Sequence, residues 1–198
     1  GVVLIHENRG LRPEIRQAAE DLAKEGYMVL AVDLLGPPVE TQEEARALTA
    51  TFDPKKGVDN MRTAAAYLRE QGAQKIASWG WCFGGAQSLN LAIALPLNAT
   101  VIYYGSRPVT DPEQLKAIKW PVFAVYGSED QAIPLETVSA FKQALEDARV
   151  TSTVKIYNGV GHAFANPSGM NYAPEATRDA WQKTLAFLAE HAGSGSGR

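Results

Sequence analysis

Cysteine and histidine are scarce in this 198-residue sequence, which contains one cysteine and three histidines. An intrachain disulfide is therefore excluded, and a zinc site built from several cysteines and histidines is not expected. The 19 basic and 22 acidic residues give a net charge of −3, so the chain offers no positive field for nucleic acid. We expect no metal, no cofactor and no nucleic-acid partner.

Long hydrophobic runs are also missing. No stretch approaches the roughly 20 apolar residues that cross a bilayer, and no signal peptide is recognisable. The hydrophobic content of 45% is enough for one core, and we expect one domain over residues 1–192. Residues 193–198 have the Gly/Ser composition of a flexible linker and are expected to be an appended tail. These features predict a soluble, cytoplasmic protein without membrane contact, as a monomer or small homo-oligomer.

Short apolar runs alternate along the chain with longer segments of helical period. Strands are predicted over Val2–Ile5, Met28–Val32, Ile76–Trp79, Thr100–Tyr104, Val122–Tyr126 and Thr153–Tyr157. Helix starts are predicted at Pro13, at a Thr41/Glu44 capping box, at Asp53-Pro54, at Pro134 and at Pro174. This alternation is typical of an α/β fold, with a mostly parallel sheet covered by helices on both faces.

Ligands collect beyond the carboxyl ends of such strands, so the residues that follow each strand are the candidates for chemistry. A thiol (Cys82) follows the third predicted strand, a carboxylate (Asp130) the fifth and an imidazole (His162) the sixth. The chain order of nucleophile, acid and base is that of the α/β-hydrolase fold, with cysteine in place of the usual serine. We therefore expect these three side chains to meet.

The surroundings of Cys82 favour a nucleophile. Gly80 and Gly84 flank it at the spacing that a sharp strand-to-helix turn requires, because neighbouring chain comes very close there. The positive end of the following helix would favour a negatively charged sulfur. A lone cysteine is more often a buried packing residue, but the ordered carboxylate and imidazole argue against that interpretation.

The base and the acid each have an alternative candidate. His162 lies in a loop between Gly161 and Ala163, where a neutral ring can take a proton and return it. His6 is its main rival, and His191 is expected to be a cation at a helix C-terminus. Asp130 is favoured over the adjacent Glu129 because the shorter side chain at the far end of the turn matches the usual acid.

A tetrahedral intermediate also needs donors for its oxyanion. The backbone N–H of Phe83, directly after the nucleophile, is the first expected donor. The second should come from the loop after the first strand, which indicates the N–H of Asn8.

Four motifs resemble those of the dienelactone hydrolases (carboxymethylenebutenolidases), a family of the α/β-hydrolase superfamily. They are IHENRG at the first strand end, GWCFGG at the nucleophile, VYGSEDQAIP at the acid and GHAF at the base. The resemblance runs from about Val2 to His191. Family members begin earlier with an extra hairpin, so we expect an N-terminal hairpin to be missing from this chain.

The resemblance implies that Cys82, Asp130 and His162 form a catalytic triad, and it gives Glu7 a role. In the family this glutamate holds the resting thiol and accepts its proton when substrate displaces it. The thiolate then attacks the carbonyl of a small lactone or ester, and hydrolysis of the thioester acyl-enzyme releases the acid.

One position departs from the family. The family places an arginine four residues after the catalytic histidine to hold a substrate carboxylate, and this chain has Asn166 there. Recognition of an acidic dienelactone is therefore in question, with Arg9, Arg107 and Arg178 as open substitutes. A carboxylesterase with little dienelactone activity is the alternative function.

Aromatic residues adjoin several of these positions. Four of them lie next to catalytic positions or strand ends and would form an aromatic wall suited to neutral or aryl esters: Trp81, Phe83, Tyr104 and Phe164. They are equally typical of ordinary core residues. A non-enzymatic protein that senses redox state through Cys82 is a third hypothesis, and it predicts no turnover of any ester.

Overall fold

The computed structural model describes residues 1–193, so the predicted tail lies outside the described residues from Ser194 onward. The described strands are β1 (Val2–Ile5), β2 (Val29–Val32), β3 (Ala77–Trp81), β4 (Ala99–Tyr103), β5 (Val122–Gly127) and β6 (Ser152–Tyr157). The described helices are α1 (Pro13–Lys24), α2 (Gln42–Ala50), α3 (Pro54–Glu70), α4 (Phe83–Ala94), α5 (Pro112–Leu115), α6 (Leu135–Asp147) and α7 (Pro174–His191). None of these helices is long and apolar enough to cross a membrane. All six predicted strands are confirmed, with ends that differ by at most two residues.

The six strands form one sheet in the order β2-β1-β3-β4-β5-β6, and every described pair is parallel. The central strands β1, β3, β4 and β5 are buried along their whole length. Their apolar sequences explain this, because a parallel sheet needs helices on both faces. The predicted mostly parallel sheet with helical cover is confirmed.

The two faces of β3 show how the helices cover the sheet. Ser78 points to one face, where the Ser88 hydroxyl of α4 donates to it at 2.8 Å. Trp79 points to the other face and packs on Trp181 of α7, with 5.0 Å between ring centroids. Helix α1 lies on the α7 side, where its Ile15 lines the same cavity as Trp81.

The helix ends follow local side-chain chemistry. The predicted capping box of α2 is formed, because Thr41 and Glu44 exchange hydrogen bonds, and Asp53 caps α3. Pro134 is the residue before α6 rather than its first helical residue. The short helix α5 was not predicted, and it is capped by Asp111. Since the strands are parallel, the catalytic candidates that follow them come together at one edge of the sheet.

Candidate active site

Cys82 occupies a strained turn between β3 and α4. Its backbone has a φ of 51° and a ψ of −112°, in a region that non-glycine residues rarely adopt. A Cβ atom at Gly80 would lie 2.0 Å from the carbonyl oxygen of Gly84, and one at Gly84 would lie 2.2 Å from that of Ile5. The close approach of neighbouring chain therefore explains both flanking glycines, as the sequence predicted.

The structure brings the three predicted side chains together. The Cys82 Sγ atom lies 3.1 Å from Nε2 of His162, and Nδ1 of the same ring lies 2.7 Å from Oδ2 of Asp130. The other oxygen of Asp130 accepts hydrogen bonds from the N–H groups of Ala132 (2.8 Å) and Ile133 (2.9 Å). Asp130 is buried and both of its oxygens are held, so the carboxylate has one orientation.

The rival acid, Glu129, is exposed, whereas Asp130 is only 4% exposed. The turn after β5 directs the side chain of Asp130 toward the imidazole. The N–H of Glu129 instead donates to the carbonyl of Val160 at 3.0 Å. The geometry thus selects Asp130 as the partner of His162.

The electrostatics of this cluster favour a charged imidazole. Burial alone would lower the pKa of His162, but the hydrogen bonds and negative charges of Asp130 and Cys82 raise that pKa to about 10. A group whose pKa is raised on folding stabilises the fold below its unfolded pKa and loses that contribution as the pH rises through the folded value. His162 therefore keeps its proton at neutral pH, and its ion pair with Asp130 weakens only toward pH 10.

Glu7 lies directly after β1, and its carboxylate is turned into the protein. Oε1 accepts a hydrogen bond from the hydroxyl of Tyr104 at 3.1 Å, and Oε2 accepts one from the amide of Asn166 at 2.6 Å. Burial raises the pKa of Glu7, while these two donors and the positive charge of His162 oppose that rise. Part of the residue remains accessible, but the carboxylate itself is enclosed.

This arrangement differs from the resting state that the family resemblance implies. The implied hydrogen bond between the thiol and Glu7 does not occur among residues 1–193, because Cys82 faces His162 instead. Asn166 takes Oε2 of Glu7, and its own Oδ1 accepts the N–H of Ser168 at 2.9 Å, which fixes the orientation of the amide. The asparagine that replaces the family arginine is therefore a partner of Glu7.

The two expected oxyanion donors remain free of protein acceptors. Over residues 1–193, neither the N–H of Phe83 nor that of Asn8 donates to another protein group. The side-chain amide of Asn8 donates to Gln42 at 3.2 Å, and this bond does not occupy the backbone N–H of Asn8. Both N–H groups are thus available for an oxyanion.

His6, the rival base, has a structural task that the sequence did not reveal. It is fully buried, its Nδ1 lies 2.6 Å from the carbonyl oxygen of Glu7, and its Nε2 accepts the N–H of Leu34 at 3.0 Å. Because Nε2 accepts, Nδ1 carries the proton and donates it to the Glu7 carbonyl. Burial lowers the pKa of His6, which suits this neutral form. The ring therefore anchors the turn that carries Glu7 and Asn8.

The predicted pocket residues divide into two groups. Trp81, Tyr104 and Asn166 line a cavity of about 610 Å³ that borders Glu7. Phe164 is fully buried, packs on Tyr104 with 5.5 Å between ring centroids, and does not line this cavity. Arg9 does not line it either.

The arginines that line this cavity are Arg178, an open alternative from the sequence, and Arg12, which the sequence did not single out. Arg12 lies just before α1, and Arg178 lies within α7. The spacing of residues in the sequence could not predict that Arg12 lines the cavity, because its position depends on how α1 packs beside the sheet.

Comparisons with known proteins show which family the chain belongs to. A family model described as "Dienelactone hydrolase family" matches residues 1–192. A Saccharolobus solfataricus protein named "Putative carboxymethylenebutenolidase" is 29% identical, and the match covers 94% of this chain and 88% of the relative. These matches confirm the resemblance drawn from the four motifs.

Solved structures are similar as well. The crystal structure of a "Putative Dienelactone Hydrolase" from Klebsiella pneumoniae superposes with a TM-score of 0.89 at 26% identity, covering 96% of this chain and 86% of the other. A "Dienelactone Hydrolase-like Promiscuous" phosphotriesterase from metagenomic libraries gives a TM-score of 0.87, also at 26% identity and with the same coverage. The predicted α/β-hydrolase fold is confirmed.

Proposed function

Because the chain belongs to the dienelactone hydrolase family, we propose that it hydrolyses a lactone or a carboxylic ester through a thioester formed on Cys82. The observation that carries this proposal is the continuous line of contacts from Cys82 through His162 to Asp130, at 3.1 Å and 2.7 Å. Such a line joins a nucleophile to a base and the base to a group that orients it, which is the geometry that covalent catalysis requires.

In the first half-reaction, the Cys82 sulfur attacks the carbonyl carbon as a thiolate, and the carbonyl electrons move onto the oxygen. The N–H groups of Phe83 and Asn8 stabilise that oxyanion. When the intermediate collapses, the C–O bond to the leaving oxygen breaks and the thioester forms. His162 gives its proton from Nε2 to the leaving oxygen, which in a lactone stays attached to the acyl group.

In the second half-reaction, the now neutral His162 takes a proton from a water molecule whose oxygen attacks the thioester. The C–S bond breaks, the carboxylic acid leaves, and the thiolate and imidazolium are restored. Asp130 accepts the hydrogen bond from the Nδ1–H of His162 throughout, so Nε2 always faces the reacting atoms.

Glu7 is proposed to accept the proton of a neutral thiol, which keeps Cys82 in its reactive form. Since burial raises the pKa of Glu7, its carboxylate is lost on acidification at a higher pH than for an exposed glutamate. We expect the acid limb of the pH profile of kcat/KM to report this group. Glu7→Gln should remove that limb and lower kcat/KM at pH 7 by about 10²-fold.

Asn166→Ala is the matched variant for this prediction. It removes a hydrogen bond to the ionised carboxylate, so the pKa of Glu7 should rise and the acid limb should move to higher pH. An acid limb that stays in place in both variants would show that Glu7 does not accept the proton.

The substrate is proposed to be a neutral ester or lactone rather than an acidic one. Asn166 is uncharged and its amide is already bound to Glu7, so no bidentate cation stands at this position for a substrate carboxylate. A promiscuous carboxylesterase is the specific form of the function that this observation favours.

A substrate comparison tests both the function and its specificity. We expect a higher kcat/KM for p-nitrophenyl acetate than for an acidic dienelactone, with Cys82→Ala giving the background rate for each. Turnover of neither substrate above that background would contradict the proposed function. A lower KM for the dienelactone at comparable kcat would contradict the preference for neutral substrates alone.

A further inference from the structure

A cavity beside the catalytic cluster has no part in the mechanism above. It lies between α1 and α7 and has a volume of about 610 Å³, within the range of roughly 300–1,000 Å³ that is usual for small-molecule sites. Its end wall is formed by Glu7, Tyr104 and Asn166. Cys82 and His162 do not line it, so it is a separate space that shares one wall with the active site.

The floor of this cavity is aromatic. Trp81 and Tyr103 lie with ring centroids 5.7 Å apart, and Trp181 of α7 completes the floor. Trp79 lies behind them and packs on Trp81 at 4.8 Å and on Trp181 at 5.0 Å, which holds both rings in place. Aromatic side chains that line a cavity favour an aromatic occupant, because aromatic pairs gain energy beyond the area that they bury.

A single polar atom of α1 lacks a partner at this cavity. Glu14 lines it, its side chain is 12% exposed, and no residue within 1–193 donates a hydrogen bond to its Oε2. Burial would raise the pKa of Glu14, but its own backbone N–H, the nearby Ser168 hydroxyl and Arg12 outweigh burial and lower that pKa. Glu14 is therefore ionised, and a buried carboxylate oxygen without a donor is costly.

Charged groups of both signs line the cavity, and their charges nearly cancel: the carboxylates are Glu7, Glu14, Asp21 and Glu25, and the cations are Arg12, Lys24 and Arg178. Arg12 lies 3.5 Å from Oε1 of Glu14 and 2.9 Å from Glu40. At the far end of the cavity, Lys24 pairs with Asp21 at 2.7 Å. Because Arg12, Lys24 and Arg178 already supply positive charge, what Oε2 of Glu14 lacks is a hydrogen-bond donor.

We propose that this cavity binds an uncharged aromatic molecule whose hydroxyl group donates to Oε2 of Glu14 while its ring lies on Trp81 and Trp181. The site goes beyond the proposed hydrolysis, because it requires no reaction at Cys82. Binding without turnover and turnover without binding are therefore separate outcomes.

The test is a titration of the ¹⁵N-labelled chain with 4-methylphenol, followed through the indole N–H signals of its tryptophans and assigned with single Trp→Phe variants. The signals of Trp81 and Trp181 should shift and saturate. Trp120, whose indole donates to Thr100 at 3.1 Å and which does not line the cavity, should stay in place. The methyl ether, 4-methylanisole, lacks the donor and should bind about tenfold more weakly or worse.

Three variants separate the parts of the proposal. Glu14→Met should weaken 4-methylphenol binding to the level of 4-methylanisole and leave 4-methylanisole unchanged. Glu20→Met, on the exposed side of the same helix and outside the cavity, should change neither. Ala18→Trp places a large ring inside the cavity and should abolish both.

Three results would overturn the site. Equal affinity for the phenol and its ether would remove the role of Glu14. Shifts of Trp120 in parallel with Trp81 would show non-specific association. Undiminished binding in Ala18→Trp would place the ligand elsewhere.

Discussion

Replacing Cys82 with alanine is expected to lower kcat/KM for p-nitrophenyl acetate by about 10⁴-fold or more. The side chain removed is the only one in the mechanism that forms a covalent bond with the substrate. The oxyanion donors and His162 remain, so a small residual rate above the uncatalysed one is expected. Steady-state kinetics on the purified variant measure the loss, with circular dichroism to verify the fold.

Cys82→Ser is the companion variant, because it keeps the shape of the side chain and its place at the strained turn. A hydroxyl ionises far less readily than a thiol, so His162 must deprotonate it during the attack rather than beforehand. We expect this variant to lose most of the activity, by at least about tenfold. Near wild-type rates in Cys82→Ser would show that a preformed thiolate is not needed.

The second large effect is expected for Asp130→Asn, with a fall in kcat/KM of about 10⁴-fold by analogy with serine proteases. An asparagine amide facing Nδ1 of His162 would place the proton on Nε2, which leaves no base for the water that attacks the thioester. The loss of the negative charge should also lower the pKa of His162 from its value of about 10. Kinetics and a histidine NMR titration measure the two consequences.

Glu129→Gln is the matched control, since it makes the same chemical change one residue away at an exposed position. Its activity should equal that of the unmodified chain. A larger loss in Glu129→Gln than in Asp130→Asn would reverse the assignment of the acid.

The sequence predicts correctly that Cys82, Asp130 and His162 lie together, because the fold is repetitive. Parallel strands end at the same edge of the sheet, so residues that follow β3, β5 and β6 must meet whatever the details of the helices. The spacing of Gly80 and Gly84 around Cys82 predicted the sharp turn that the structure contains, and it made Cys82 the candidate nucleophile. The sequence favoured Asp130 over Glu129 only by the length of its side chain and its place in the turn, and the structure shows that the turn directs Asp130, not Glu129, toward His162.

The surroundings of Glu7 could not be predicted in the same way. Its partners Tyr104 and Asn166 lie 97 and 159 residues away along the chain, and Tyr104 reaches it from a backbone with a φ of 37°. No periodicity or composition signal encodes such a loop conformation in a non-glycine residue. Phe164 shows a different limit of the sequence. Its proximity to His162 along the chain predicted a pocket residue, but tertiary packing places it in the core.

The gap between α1 and α7 is a third feature beyond the reach of the sequence. Arg12 and Glu14 look like ordinary charged residues at the start of a helix, and their importance depends on the rings of Trp81 and Trp181 across the cavity. An unpartnered carboxylate oxygen can be recognised only once all of its neighbours are known.

The most direct test of the central claim is to capture the covalent intermediate. The chain is mixed with excess p-nitrophenyl acetate, quenched with acid within the first turnovers, digested and examined by mass spectrometry. We expect one acetyl group on the peptide that contains Cys82, and this group should disappear once the substrate is exhausted and never form in Cys82→Ala. Rapid hydrolysis of the ester with Cys82 unmodified, or with the acetyl group on another residue, would contradict it.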